Sequence, residues 1–106
     1  MGAEEIHWTV KVCSSEAREV SIQAGPNNTD NDCFAYWHPE DGHKSFPLPA
    51  RCQSLNRVYI RATTPGPFQT DLCLEYYGRC VKQMSFDGGD EDHDGVDAND
   101  DDDCPC

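Results

Sequence analysis

Seven cysteines, at positions 13, 33, 52, 73, 80, 104 and 106 of a 106-residue chain, constrain this sequence more than any other feature. They are spread along the chain and not gathered into paired Cys-x-x-Cys knuckles, so disulfide staples are expected and a structural zinc site is not. Disulfides persist in oxidising compartments, which makes a secreted, extracellular protein the expectation. Staples also answer a physical need. Only 37% of the residues are apolar, and a chain of this length buries only about two-thirds of the surface that its unfolded form exposes. The odd count leaves one cysteine over, as a thiol or as the bond of a disulfide-linked dimer. Cys104 and Cys106, separated by one proline, are too close to bond to each other without strain, so one of them is expected to join the framework.

In residues 1–86 the apolar period is two, the signature of strands with one buried face. Ile6, Trp8, Val10 and Val12 alternate with His7, Thr9, Lys11 and Cys13; Val58 and Ile60 alternate with Tyr59 and Arg61; Leu72, Leu74 and Tyr76 alternate with Cys73, Glu75 and Tyr77. Shorter candidates are 19–24, 33–37 and 80–86, for about six strands in all. Clusters rich in Gly, Pro, Asn and Asp at 25–31, 38–42 and 64–67 separate them. Ser14 to Arg18 has room for one helical turn, and no segment carries a sustained helical stripe. The expected fold is all-β: a small disulfide-stapled antiparallel sandwich or barrel with an acidic, irregular C-terminal tail. With a four-residue loop over 75–78, Cys73 would face Cys80 across a hairpin, and that pair is the expected local disulfide.

Charge divides the chain at residue 86. Ten of the twenty acids lie between Asp87 and Asp103, a stretch without lysine or arginine, whereas residues 1–86 hold ten acids against eight bases. The division expected from this is a β domain over 1–86 and an acidic tail over 87–106. Within the tail, Asp90-Glu-Asp-His-Asp-Gly-Val-Asp-Ala-Asn-Asp-Asp101 resembles the DxDxDG calcium loop of EF-hands, dockerins and thrombospondin type 3 repeats. The resemblance implies Ca²⁺ held by the side chains of Asp90, Asp92 and Asp94, the carbonyl of Val96, and Asp101 in the twelfth place. Six to eight oxygens suit that hard cation, and a loop without flanking helices implies a Kd of ~10⁻⁴ to 10⁻³ M. Without an ion, such a run has the composition of a solvated polyanion.

Other classes are excluded on composition and motif. The start Met1-Gly-Ala-Glu-Glu5 carries no leader and reads as a mature chain with an added initiator, and no stretch approaches the ~20 apolar residues of a membrane span. The acidic tail would repel phosphates, so no nucleic-acid partner is expected. No nucleophile elbow, HExxH or phosphate-cradling glycine loop is present, and the chain is read as a non-enzyme. His38-Pro-Glu-Asp-Gly-His43 has ligands for a transition metal but is the composition of a solvated turn.

The body, through His7-Trp-Thr-Val-Lys-Val-Cys13, Val20-Ser-Ile-Gln23 and Val58 to Tyr76, resembles the strand order of PLAT or C2-type β-sandwiches, with the middle of the pattern shortened. That resemblance implies an extracellular module recognising a protein or a membrane-surface ligand. Tyr36, Trp37, Tyr76 and Tyr77 are the candidate partner-binding residues, since aromatics concentrate at interfaces. The alternative is a secreted inhibitor or effector whose tail docks on the basic surface of a protease, cytokine or chemokine by electrostatic steering.

Overall fold

The alternating apolar residues form strands that close over one another in two layers. The computed structural model describes residues 6–15, 20–27, 33–37, 45–64, 69–87, 89–92 and 95–104. In chain order these carry β1 (Trp8–Ser15), β2 (Val20–Gly25), β3 (Cys33–Trp37), β4 (Ser45–Pro47), the single-turn helix α1 (Ala50–Gln53), β5 (Arg57–Thr64), β6 (Thr70–Tyr76), β7 (Arg79–Phe86), β8 (Gly89–Asp92) and β9 (Val96–Asp97). One antiparallel sheet has the order β4-β1-β6-β7; the other has the order β3-β2-β5-β8, with β9 also on β5. No helix among the described residues is long and apolar enough to cross a membrane.

One apolar cluster fills the space between the layers. Trp8 and Val10 of β1, Leu72 and Leu74 of β6 and Val81 of β7 meet Ile22 of β2 and Val58 and Ile60 of β5. The period-two reading of the sequence therefore holds at Trp8 and Val10, at Val58 and Ile60, and at Leu72 and Leu74, whereas Val12 is half-buried and Ile6, at 54% exposure, lies outside the core. Ser14 and Ser15 continue β1 and do not begin a helical turn.

A buried glutamine ties α1 to the sheet. The Gln53 carboxamide accepts from the backbone N–H groups of His7 (2.7 Å) and Trp8 (2.6 Å) through Oε1. Its Nε2 donates to the carbonyls of Trp8 (3.1 Å) and Leu48. The Trp8 indole N–H donates to Leu55 O at 2.8 Å, so the largest core side chain is also satisfied. The Cys33–Cys52 disulfide fastens α1 to β3.

The acidic C-terminal stretch, expected to be irregular, contributes two strands. Arg61 pairs with Asp92 and Thr64 with Gly89, while Arg57 pairs with Asp97 and Val58 with Val96, so the sheet crosses the boundary in charge at residue 86. Val96 and Ala98 explain this, being 3% and 6% exposed. Burying a valine side chain contributes about 1.5–3 kcal/mol, which exceeds the ~1 kcal/mol between two solvated charges 4 Å apart. A Cβ at Gly95 would displace the exposed side chain of Arg57 and lie 3.0 Å from Tyr59 Cζ.

Candidate functional site

Four consecutive exposed aspartates, Asp100 to Asp103, lie in the segment after β9, which leaves β5 of one sheet and arrives at the edge of β7 in the other. Two local turns shape it. Asp97 Oδ1 accepts from Asn99 N at 3.0 Å, and Asp100 N donates to Asp97 O at 2.9 Å while Asp100 Oδ2 accepts from Asp97 N at 3.0 Å. Such short-range carboxylate-to-backbone bonds are what aspartates supply at turns. The Arg79 guanidinium then gathers the segment, donating through Nη2 to Ala98 O (2.8 Å) and through Nη1 to Asp100 O (2.5 Å), with Asp101 Oδ1 at 3.8 Å from Nη1.

Two further bonds dock the segment on the outer strand β7. Asp102 N donates to Cys80 O at 3.3 Å, and Asp102 Oδ2 accepts from Gln83 N at 2.9 Å. The Gln83 amide, and after it that of Asp103, holds the Asp102 carboxyl below its ordinary value of 3.8. The Cys80–Cys104 disulfide, with Cα atoms 6.0 Å apart, closes the attachment. The result is a shallow hollow of about 310 Å³ lined by Val81, Lys82, Asp100, Asp101 and Asp102. Asp100 to Asp103 are all exposed. A run of carboxylates on a backbone anchored to a sheet presents a directed negative field, which a freely moving polyanion does not.

The sulfur atoms do not pair as the hairpin argument expects. Tyr77 and Gly78 both have positive φ, 54° and 77°, so β6 and β7 are joined by a two-residue turn in place of the four-residue loop. Tyr76 then faces Arg79, Glu75 faces Cys80, and Cys73 faces Gln83 across a register shift that leaves Val81 without a cross-strand partner. The expected Cys73–Cys80 disulfide is not formed; Cys80 bonds Cys104, and Cys73 is a buried thiol. Cys13 is also disulfide-bonded.

Of the expected ligands of calcium, the described positions fall on β8, on β9 and on the segment that follows it. Asp90 and Asp92 lie in β8, opposite Thr63 and Arg61, so the first three positions of the motif are extended against β5. Val96 lies in β9 against Val58, and Asp101 is exposed beside Arg79. Asp94 and the side chains of Asp90 and Asp92 fall outside the described residues. Among the described residues, the sulfurs of Cys73, Cys80 and Cys104 lie within 4.8 Å of one another, those of Cys80 and Cys104 joined as a disulfide.

The aromatic candidates also separate. Tyr76 packs against the core, its ring 4.7 Å from that of Trp8, whereas Tyr77 is 63% exposed at the β6–β7 turn. Tyr36 is 56% exposed on β3, in the other sheet, beside Phe34 at 43%. The Trp37 side chain and the 38–43 loop lie outside the described residues. Arg79, Gln83 and Asp102, which organise the acidic edge, carry no local motif; the one signal in the sequence for them is the cysteine at 104, which requires the segment to return to the body.

No family model matches the chain, and neither does any curated protein or solved structure, so the resemblances to calcium loops and to PLAT or C2-type sandwiches rest on the quoted residues alone.

Proposed function

We propose that this is a secreted, non-enzymatic binding module whose acidic C-terminal edge docks on a basic surface of a protein partner, in the manner of an inhibitor or effector of a protease, cytokine or chemokine. The observation that carries the reading is the attachment of the segment bearing Asp100 to Asp103 to β7 by Arg79, Gln83 and the Cys80–Cys104 disulfide. Holding the segment in place before binding reduces the ordering cost of association, and the excess of acid steers a basic partner toward it. Tyr77 and Tyr36, on separate surfaces, are available as aromatic anchors of a partner's contact.

The test is calorimetric titration of the full chain with an arginine- and lysine-rich peptide, at about 50 and about 300 mM salt. Affinity is expected to fall with salt, and to fall at least tenfold at low salt in the variant Asp100→Asn, Asp101→Asn, Asp103→Asn. An affinity indifferent to both overturns the reading.

Calcium binding through Asp90, Asp92, Asp94, Val96 and Asp101 is the second proposal, supported by the order of the acids in 90–101. It is tested by titrating Ca²⁺ while following the amides of Gly95 and Val96. Saturable shifts there support an ion site, and unsaturated drift over all acidic residues rejects it.

A further inference from the structure

Cys73 is fully buried yet stands apart from the core between the sheets. Its cross-strand partners explain where it is. It faces Lys11 on β1 and Gln83 on β7, and with Glu75 and Cys80 it belongs to the outer face of the four-stranded sheet, opposite Leu72 and Leu74. The acidic segment is attached at the adjoining edge of β7 by Asp102, and its Cys104 sulfur, bonded to Cys80, reaches this face. The thiol is therefore enclosed with disulfides. The Cys73, Cys80 and Cys104 sulfurs lie within 4.8 Å of one another, and Cys73 Sγ is 3.4 Å from Cys13 Sγ.

We propose that Cys73 and the Cys80–Cys104 bond form an internal thiol–disulfide exchange site, which lets the protein move the covalent anchor of its acidic segment without any external oxidant or reductant. The step is balanced within the chain. Cys73 loses its proton, and its thiolate attacks Cys80 Sγ; a Cys73–Cys80 bond forms, the Cys80–Cys104 bond breaks, and Cys104 leaves with the electron pair and takes up a proton. One thiol and one disulfide stand on each side of the step. In the product the acidic segment is no longer bonded to β7. Attack at Cys104 Sγ instead moves its anchor from β7 to β6 and leaves the thiol on Cys80.

The same enclosure sets the rate. Burial, foremost, and then the Glu75 carboxylate push the Cys73 thiol up; Asp102 on the acidic segment and Asp71 on β6 act in the same direction, and Lys11 on β1 opposes them. Since the thiolate is the nucleophile, exchange is slow at neutral pH and accelerates with pH by about tenfold per unit below the thiol pKa. This proposal does not depend on the acidic edge binding anything.

The experiment uses the oxidised full chain, incubated between about pH 6 and about pH 9, quenched in acid, blocked with N-ethylmaleimide and mapped by peptide mass spectrometry. Besides Cys73, the label is expected at Cys104 or Cys80, with a disulfide-linked peptide joining Cys73 to the other member of that pair. Its rate of appearance should be independent of protein concentration. Label confined to Cys73 across the pH range overturns the proposal, as does a Cys73 bond to Cys13 alone. New bonds whose rate scales with protein concentration also overturn it, since they show exchange between chains. A Cys73→Ser variant is expected to keep Cys80–Cys104 as its sole pairing for these two sulfurs; the wild-type mapping decides the matter if that variant does not fold.

Discussion

Gln53 shows how much one polar side chain does in a small core. Its carboxamide makes four hydrogen bonds to backbone groups of His7, Trp8 and Leu48, joining the single-turn helix α1 to the strand that carries the largest core residue. Truncation leaves buried amide and carbonyl groups without those bonds, each at a cost of about 1–3 kcal/mol where water cannot replace them. Gln53→Ala is expected to lower stability by about 2–4 kcal/mol, read from the urea unfolding midpoint. Gln53→Met, which restores volume but not the bonds, should recover less than half of the loss. Full recovery would mean that packing, not hydrogen bonding, gives Gln53 its place. Nothing in the sequence singles this residue out, because a buried glutamine in a hydrophilic stretch has the same local composition as an exposed one.

At the scale of elements, β7 ends its sheet, and an outer strand with open N–H and C=O groups invites pairing with another chain. Here the Asp102 carboxylate and backbone occupy the groups of Gln83 and Cys80. The contribution of Asp102 depends on its charge. Its folded pKa is depressed below 3.8, so the attachment is complete above that value and is lost as pH falls through the lower, folded one. The Gln83 amide shift, followed by NMR in acid, should titrate with a midpoint below 3.8 and should lose that titration in Asp102→Asn. A midpoint at or above the ordinary value would show that the carboxylate is not held by that amide. The elements also show what was legible beforehand. β1, β2, β3, β5, β6 and β7 are visible as period-two runs or strand-sized segments between turns. β4, only Ser45-Phe46-Pro47, is too short to show a period, and β8, Gly89-Asp-Glu-Asp92, has no apolar residue to show one. The Cys80–Cys104 pairing was hidden for a related reason. Two adjacent positive-φ residues at Tyr77-Gly78 tighten the hairpin and displace Cys73 from Cys80, and tyrosine is not a residue that announces such a turn. The docking of the acidic segment depends on Val96 and Ala98, two apolar positions that a reading of charge passes over.

Considered as a whole, the molecule carries a net charge of −12, most of it between residues 87 and 103, a segment that pairs with β5 through β9 and ends bonded to β7. Repulsion within that segment opposes the docked state, and salt screens it, with a Debye length falling from about 30 Å at 0.01 M to about 8 Å at 0.15 M. The melting temperature of the oxidised protein is therefore expected to rise on adding sodium chloride over this range, and to rise less in the variant Asp100→Asn, Asp101→Asn, Asp103→Asn. An equal rise in both would place the repulsion elsewhere on the surface. The path of the covalent chain has a mechanical consequence. Tension reaching Cys104 from the C-terminal side passes through its disulfide into Cys80, at the start of β7, 24 residues back along the chain. The intervening stretch, which contains the rest of β7, β8, β9 and the exposed aspartates, lies in a covalent bypass. Pulled from that end, the protein would transmit load into the first sheet while its charged edge stayed slack and kept its shape.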